Sequence, residues 1–338
     1  MTPFKPAFGL SNAHIQTLVS RFIRRKPLFE PARERLELPD GDFVDLAWSE
    51  DPNSNTSKPI FILFHGLEGS FESPYANGLM HAFALQGWLA VVMHFRGCSG
   101  EPNRLPRAYH SGETEDARFF IEHLTKRFPR QVKVAVGVSL GGNMLVNYLA
   151  KYTENTLLNA ASVVSAPLDL LACSQRINRG FSKVYQSYLL SSLKENAVAK
   201  LPLVQKVMAL TEKEINEIDS MFDFDDVITS RLHGFKNAHH YYQTCSGLPM
   251  LKKIRIPTDI IHAQDDPFMT EAVIPTTPLP AHVKYHLLPK GGHVGFVSGH
   301  LFKPRFWLEE ALPEHFSPYL EKEACNAQSE INGKIATT

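Results

Sequence analysis

Three residue types at three places in this chain could together perform nucleophilic chemistry: a glycine-bounded serine, an aspartate and a histidine. The serine stands in Gly137-Val138-Ser139-Leu140-Gly141. It follows an apolar run, Val132 to Val136, and precedes a helical pattern, Leu140 to Tyr152. A serine with a glycine two residues away on each side, at a strand-to-helix turn, is a nucleophile elbow. The reason is steric. The turn is tight, its backbone is strained, and its neighbours must lack side chains. The hydroxyl then stands free at the end of a strand. Because a serine hydroxyl is a weak nucleophile at neutral pH, it needs a base within hydrogen-bond reach. The base in turn needs a third group to orient it.

With such an elbow the partners follow in the order serine, acid, histidine. The acid is expected after the next-to-last strand. That strand is Asp259 to His262, and Ala263-Gln264-Asp265-Asp266-Pro267 follows it. A small residue three positions before the acid, here Ala263, selects Asp266. Asp265 is the competing choice, with bonding to its own loop or to a cap residue as its other use. The histidine is expected after the last strand, where Gly291-Gly292-His293-Val294-Gly295 is found. Its glycines let the loop bring the imidazole close to the serine.

Acyl transfer also needs donors aimed at the developing oxyanion. The backbone N–H of Leu140 is one. The other comes from His65-Gly66-Leu67-Glu68-Gly69, after the strand Ile60 to Phe64. Leu67 N–H is the best placed there. His65 reads as a shaper of this loop. Cys98 lies in a glycine-bounded turn with nothing to activate it. His239 and His240 are adjacent in sequence, point differently, and make a poor metal pair. Ser/His/Asp chemistry calls for no metal and no organic cofactor.

These residues need a frame that brings them together. Residues 33–49 read as a hairpin, Arg33 to Leu38 and Phe43 to Trp48, around an Asp40-Gly41 turn. Continuous apolar runs follow at Ile60 to Phe64, Leu89 to Met93, Val132 to Val136, Ala161 to Val164, Asp259 to His262 and Val283 to Leu288. Such runs suit strands covered on both faces. Helical patterns lie between them at Tyr75 to Gln86, Glu115 to Arg127 and Leu140 to Lys151. The alternation predicts an α/β fold with a mostly parallel sheet and helices on both faces. Between Ala166 and Lys253 aromatic and apolar residues recur at helical spacing, which predicts a helical cap. The expected division is 1–32 (helix and arm), 33–165 (core), 166–253 (cap), 254–320 (core) and 321–338 (flexible tail).

Composition narrows the function. The chain has 338 residues, with 35 basic and 35 acidic side chains. A net charge of zero argues against non-specific nucleic-acid binding. Cys98, Cys173, Cys245 and Cys325 lie far apart without a C-x-x-C pair, which suits reduced thiols rather than a zinc site. Neither a signal-peptide pattern nor an apolar stretch of membrane-spanning length is visible, so a soluble cytoplasmic protein is expected. Residues 11–26 form an amphipathic pattern, with Ile15, Leu18, Val19, Phe22 and Ile23 on one face and Arg21, Arg24, Arg25 and Lys26 following. One reading packs this helix on the body. The other lays it on the inner membrane face.

With these residues assembled, the chain resembles the YheT-like α/β-hydrolases, which group with eukaryotic α/β-hydrolase-domain phospholipases. The resemblance is carried by His65-Gly66-Leu67-Glu68-Gly69-Ser70, Ser73-Pro74-Tyr75 and His94-Phe95-Arg96-Gly97-Cys98-Ser99-Gly100-Glu101-Pro102-Asn103. It continues through the elbow with Gly142-Asn143, Asp265-Asp266-Pro267-Phe268 and Gly291 to Phe296. It spans roughly residues 8–320. It implies an α/β-hydrolase fold, with Ser139, Asp266 and His293 as the charge-relay residues. The implied activity is hydrolysis of short- to medium-chain carboxylic esters. A membrane-associated phospholipase or lysophospholipase, a thioesterase or acyltransferase, and a non-catalytic ligand-binding protein on the same fold are the alternatives. The expected partner is a small-molecule ester or lipid. Arg96, after the strand Leu89 to Met93, reads as a structural clamp, with head-group binding as its other use.

Overall fold

Each apolar run becomes a strand because both of its faces find cover. The computed structural model describes residues 2–54, 57–300 and 302–320. Strands β1 (Ala32–Glu37) and β2 (Phe43–Trp48) form an antiparallel hairpin. Gly41 turns it at φ +86°, a left-handed conformation that glycine adopts without strain. β3 (Ile60–Phe64), β4 (Leu89–Met93), β5 (Lys133–Val138), β6 (Ala160–Val164), β7 (Thr258–Ala263) and β8 (Val283–Leu288) complete one sheet. Its order is β1-β2-β4-β3-β5-β6-β7-β8. β2 runs antiparallel to β4, and every pairing from β4 to β8 is parallel.

Alternation along β3 shows how the two faces are filled. Ile60, Ile62 and Phe64 enter one core with Phe120 and Leu124 of α3 (Glu115–Arg127) and Met144 and Leu149 of α4 (Leu140–Tyr152). Phe61 and Leu63 enter the other with Leu79 and Phe83 of α2 (Pro74–Leu85) and with Trp307, Leu312 and Phe316 of the helical residues 307–320. β5 runs two residues past the apolar run because Gly137 and Val138 still pair with Val163 and Val164. The ladder therefore carries the chain directly into the elbow.

Among the described residues no strand lies between β6 and β7. The intervening cap holds α5 (Leu170–Ile177), α6 (Ser182–Val204) and shorter helical pieces. Its own apolar centre gathers Leu190, Leu193, Val204, Leu210, Ile215 and Phe224. Residues 221–232 are one helix interrupted by a π-turn at Asp225–Thr229. That turn places Asp225 where burial raises its carboxyl from 3.8 to about 6, although Tyr242 Oη donates to it at 2.7 Å. The folded-state value lies above the ordinary one. Stability is therefore fully present below about pH 4 and falls as pH rises through about 6, by about 3 kcal/mol. Asp225→Asn is expected to raise the melting temperature at pH 8 and leave it nearly unchanged at pH 4. Thermal unfolding at the two pH values checks this.

Two features depart from the sequence expectation. A small hairpin, β9 (Val297–His300) with β10 (Lys303–Phe306), follows the histidine loop. The helix α1 (Ala13–Ile23), capped by Asn12, buries its apolar face only in part: Val19 packs on Ala7, Leu10 and Val297, while Ile15, Phe22 and Ile23 are exposed. Gln16 is its one fully buried side chain, while Phe22 is 65% exposed. The expected tail, 321–338, and Cys325 lie outside the described residues. Cys98, Cys173 and Cys245 are free thiols.

Candidate active site

The elbow works because β5 ends against the start of α4. Ser139 adopts φ +52° and ψ −120°, a conformation that costs a non-glycine residue on the order of 1–3 kcal/mol. A Cβ on Gly137 would stand 2.5 Å from Gly141 O. One on Gly141 would meet Phe64 O at 2.5 Å. Both glycines are therefore steric requirements of the turn.

Ser139 Oγ lies 3.1 Å from His293 Nε2, and His293 Nδ1 lies 2.9 Å from Asp266 Oδ2. Asp266 is the partner because its side chain is fully buried, and its Oδ1 accepts the N–H of Phe268 at 2.8 Å. The Phe268 ring then stacks on the imidazole with centroids 4.0 Å apart. Asp265 takes the loop role instead: its Oδ1 accepts Gly292 N–H at 3.0 Å. With Nδ1–H given to the carboxylate, Nε2 is the free acceptor toward the hydroxyl.

The loop after β3 packs directly on the serine. A Cβ on Gly66 would stand 3.2 Å from Ser139 Cβ. Gly66 N–H donates to Tyr75 Oη at 2.8 Å. His65 is buried and held neutral, its value lowered by burial to about 3. Its Nε2 accepts Phe95 N–H, so Nδ1 donates to Gly66 O. Leu67 and Leu140 line the same cavity as Ser139, and the start of α4 supplies the dipole of a helix N-terminus there. Burial pushes the Cys98 thiol well above its ordinary value, with the Glu68 charge adding to the rise.

Arg96 is enclosed by carboxylates. Its guanidinium meets Asp116 at 2.6 Å, Asp40 at 2.8 Å and Asp42 at 3.0 Å. Burial raises the Asp42 carboxyl, but bonds from Asn103, Arg104 N–H and Phe43 N–H, with the Arg96 charge, outweigh it and hold the group below its ordinary value. Among the described residues no group of three or more His, Cys, Asp or Glu side chains could hold a metal ion.

The model of the α/β-hydrolase fold family matches residues 59–299. The chain belongs to the α/β-hydrolase fold family. It is 52% identical over 95% of both chains to YheT of Escherichia coli (strain K12), whose name marks it as a candidate esterase. It is 30% identical to human phospholipase ABHD3 over 84% of this chain and 71% of that one. Among solved structures, the Pyrococcus furiosus esterase Pf2001 aligns with a TM-score of 0.55 at 15% identity, covering 87% of this chain and 93% of that one. That likeness is one of hydrolase fold. The mostly parallel eight-stranded sheet with a helical cap agrees with this family.

Three sets of contacts at the site carry no local sequence signal because each joins separate segments of the chain. Thr17 Oγ1 of α1 accepts His293 N–H at 2.9 Å. The Gln16 side chain holds Leu10 O and both polar groups of the Val297 backbone. Glu68 ties the loop after β3 to the cap. Its N–H donates to Tyr109 Oη at 2.9 Å, and Tyr109 Oη donates back to its Oε1 at 2.7 Å. Glu68 Oε2 accepts Ser192 Oγ at 2.9 Å and also Asn196 Nδ2, both from α6. Glu68→Ala is expected to lower kcat about tenfold, a fraction of the loss from deleting an oxyanion donor. Glu68→Gln keeps an acceptor on both sides only in part and should fall between. Steady-state kinetics of the three proteins measures the order.

Proposed function

We infer that this chain is a serine carboxylesterase that hydrolyses short- to medium-chain acyl esters through an acyl-enzyme on Ser139. The observation that carries the reading is the continuous hydrogen-bonded path Ser139–His293–Asp266 opening on an apolar cavity. His293 Nε2 takes the hydroxyl proton as Ser139 Oγ attacks the ester carbonyl. Asp266 steadies the imidazolium that forms. The N–H groups of Leu67 and Leu140 receive the oxyanion. His293 then gives its proton to the leaving alcohol, and a water molecule repeats the sequence to release the acid. The relatives' names, an esterase and a phospholipase, support the ester-cleaving class. A fluorophosphonate probe should label the wild-type protein and not Ser139→Ala. An unlabelled wild type would favour a non-catalytic binding role. Esters graded by chain length then locate the preferred acyl size.

A second reading, a phospholipase or lysophospholipase at a membrane surface, is favoured by one observation. Phe22 and Ile23 of α1 are exposed, as are Val184 and Tyr188 of α6, with Arg21 donating to Tyr188 Oη at 2.7 Å. Apolar side chains beside cations suit an anionic lipid surface. Sedimentation with anionic vesicles, and faster turnover of dispersed phospholipid than of soluble ester, would support it. No described helix is long and apolar enough to cross a membrane.

A further inference from the structure

The cavity above Ser139 has a volume of about 200 Å³. Most of its wall is apolar: Leu170, Leu193, Val204, Leu210, Phe224 and Ile228. Polar groups interrupt it: Glu68, Arg96, Asn196 and Asp225 also line the cavity, and Lys200, His110 and His233 do so together in a corner near its cap side. The positions along α6 explain how the corner relates to the reaction centre. Ser192 and Asn196 bond Glu68, beside Leu67. Lys200 is the next residue on the same stripe, about 6 Å farther along the axis. It therefore stands one helical turn beyond the oxyanion loop, within the same cavity.

No carboxylate of the described residues contacts Lys200, although the charge of Asp42 favours its ammonium from farther off. Its Nζ donates to Arg107 O at 2.7 Å. Its cationic neighbours are already served. Arg96 holds Asp40, Asp42 and Asp116, and Arg107 holds Asp40, Glu113 and Glu115. The nearby Glu68 carboxylate is occupied by Tyr109, Ser192 and Asn196. Burial lowers the Lys200 ammonium from 10.5 to about 8, so most of it stays charged at neutral pH. An ammonium largely removed from water without a carboxylate is unfavourable unless an anion joins it.

The two histidines stay neutral and add no charge. Their rings lie 4.6 Å apart. Burial lowers His110 to about 4 and His233 to about 3. His110 Nδ1 accepts Gly112 N–H at 3.1 Å, which leaves the hydrogen of the neutral ring on Nε2. His233 Nε2 is buried with no partner among the described residues. An ammonium and the Nε2–H of His110 in a largely apolar wall are the kind of donors a carboxylate or phosphate oxygen takes.

We propose that the Lys200–His110–His233 corner binds an anionic group carried by the ester substrate several bonds from the scissile carbonyl. This rests on the esterase reading and narrows it. Substrates of this kind are half-esters of dicarboxylic acids, esters of hydroxy acids, and acyl esters bearing a phosphate.

Matched twins test it. Methyl octanoate and monomethyl suberate differ only in a terminal carboxylate on the acyl arm. Hexyl acetate and 6-acetoxyhexanoate differ in the same way on the alcohol arm, and 5-acetoxypentyl phosphate replaces that carboxylate with a phosphate. In at least one arm, kcat/KM for the anionic twin should exceed that for the neutral twin about tenfold or more. Lys200→Met should collapse that ratio toward one, and Lys200→Arg should keep most of it. General damage to the fold lowers both twins together and leaves the ratio intact. Neutral twins preferred in both arms, or a ratio that Lys200→Met does not change, would overturn the proposal. Calorimetry of the twins with Ser139→Ala, with and without Lys200→Met, separates this from the chemistry. If wild type resists the fluorophosphonate, the esterase reading falls, while the binding ratio still decides the anion site.

Discussion

Ser139→Ala is expected to lower kcat for ester hydrolysis by about 10⁴- to 10⁶-fold, and His293→Ala by a similar factor. The double variant should be little worse than either single one, because hydroxyl and imidazole act as one unit. Removing the base leaves the alcohol weak, and removing the alcohol leaves the base idle. The residual rate then reflects binding and the oxyanion donors. Asp266→Asn should cost less than either. It leaves the ring packed under Phe268 but disturbs the proton on Nδ1. Neither Ser139→Ala nor His293→Ala should lower the melting temperature much, since both side chains are only partly buried. Single-turnover assays with Ser139→Ala, His293→Ala and the pair would test this. Strictly additive losses would show that the two side chains do not cooperate.

The second large effect is on stability. Arg96→Met should destabilise the protein by about 3–5 kcal/mol, because it strands carboxylates that are themselves buried. Asp42 has a fully buried side chain, and Asp116 is 8% exposed. Arg96→Lys should recover little of that loss. An ammonium is a point charge and cannot present one fork to Asp116 while also reaching Asp40 and Asp42. Denaturant unfolding of Arg96→Met and Arg96→Lys measures both. A change within about 1 kcal/mol of wild type, the range of an exposed pair, would contradict the clamp.

The legible parts of this molecule are those where backbone geometry leaves few residue choices. Gly137 and Gly141 are visible in the sequence because a Cβ at either would strike main-chain atoms. The buried strands are visible because both faces of β3 to β5 meet apolar side chains. The order of serine, acid and histidine follows the order of the strand ends, so Asp266 could be found from Ala263 at the end of β7. What stayed hidden depends on contacts between remote segments. Glu68 and Asn196 are 128 residues apart, and nothing local in either announces the other. The apolar stripe of α1, Ile15, Leu18, Val19, Phe22 and Ile23, suits either packing on the body or a membrane surface. Only Val19 of that stripe packs on the Ala7, Leu10 and Val297 cluster, and the helix is fixed mainly through Gln16, whose amide satisfies three backbone groups that no aliphatic residue could serve. Nothing in the sequence around Lys200 sets it apart from other cap lysines; its place in the cavity wall does.

The docking of α1 has a practical consequence. Gly292 can lie against Ala13 O only because it has no side chain, and Thr17 fixes the amide of the base itself. Proteolytic trimming up to Pro31 would leave every strand of the sheet intact, yet release the loop that aims the imidazole. A preparation shortened in that way would pass a circular-dichroism check and still be a poor catalyst.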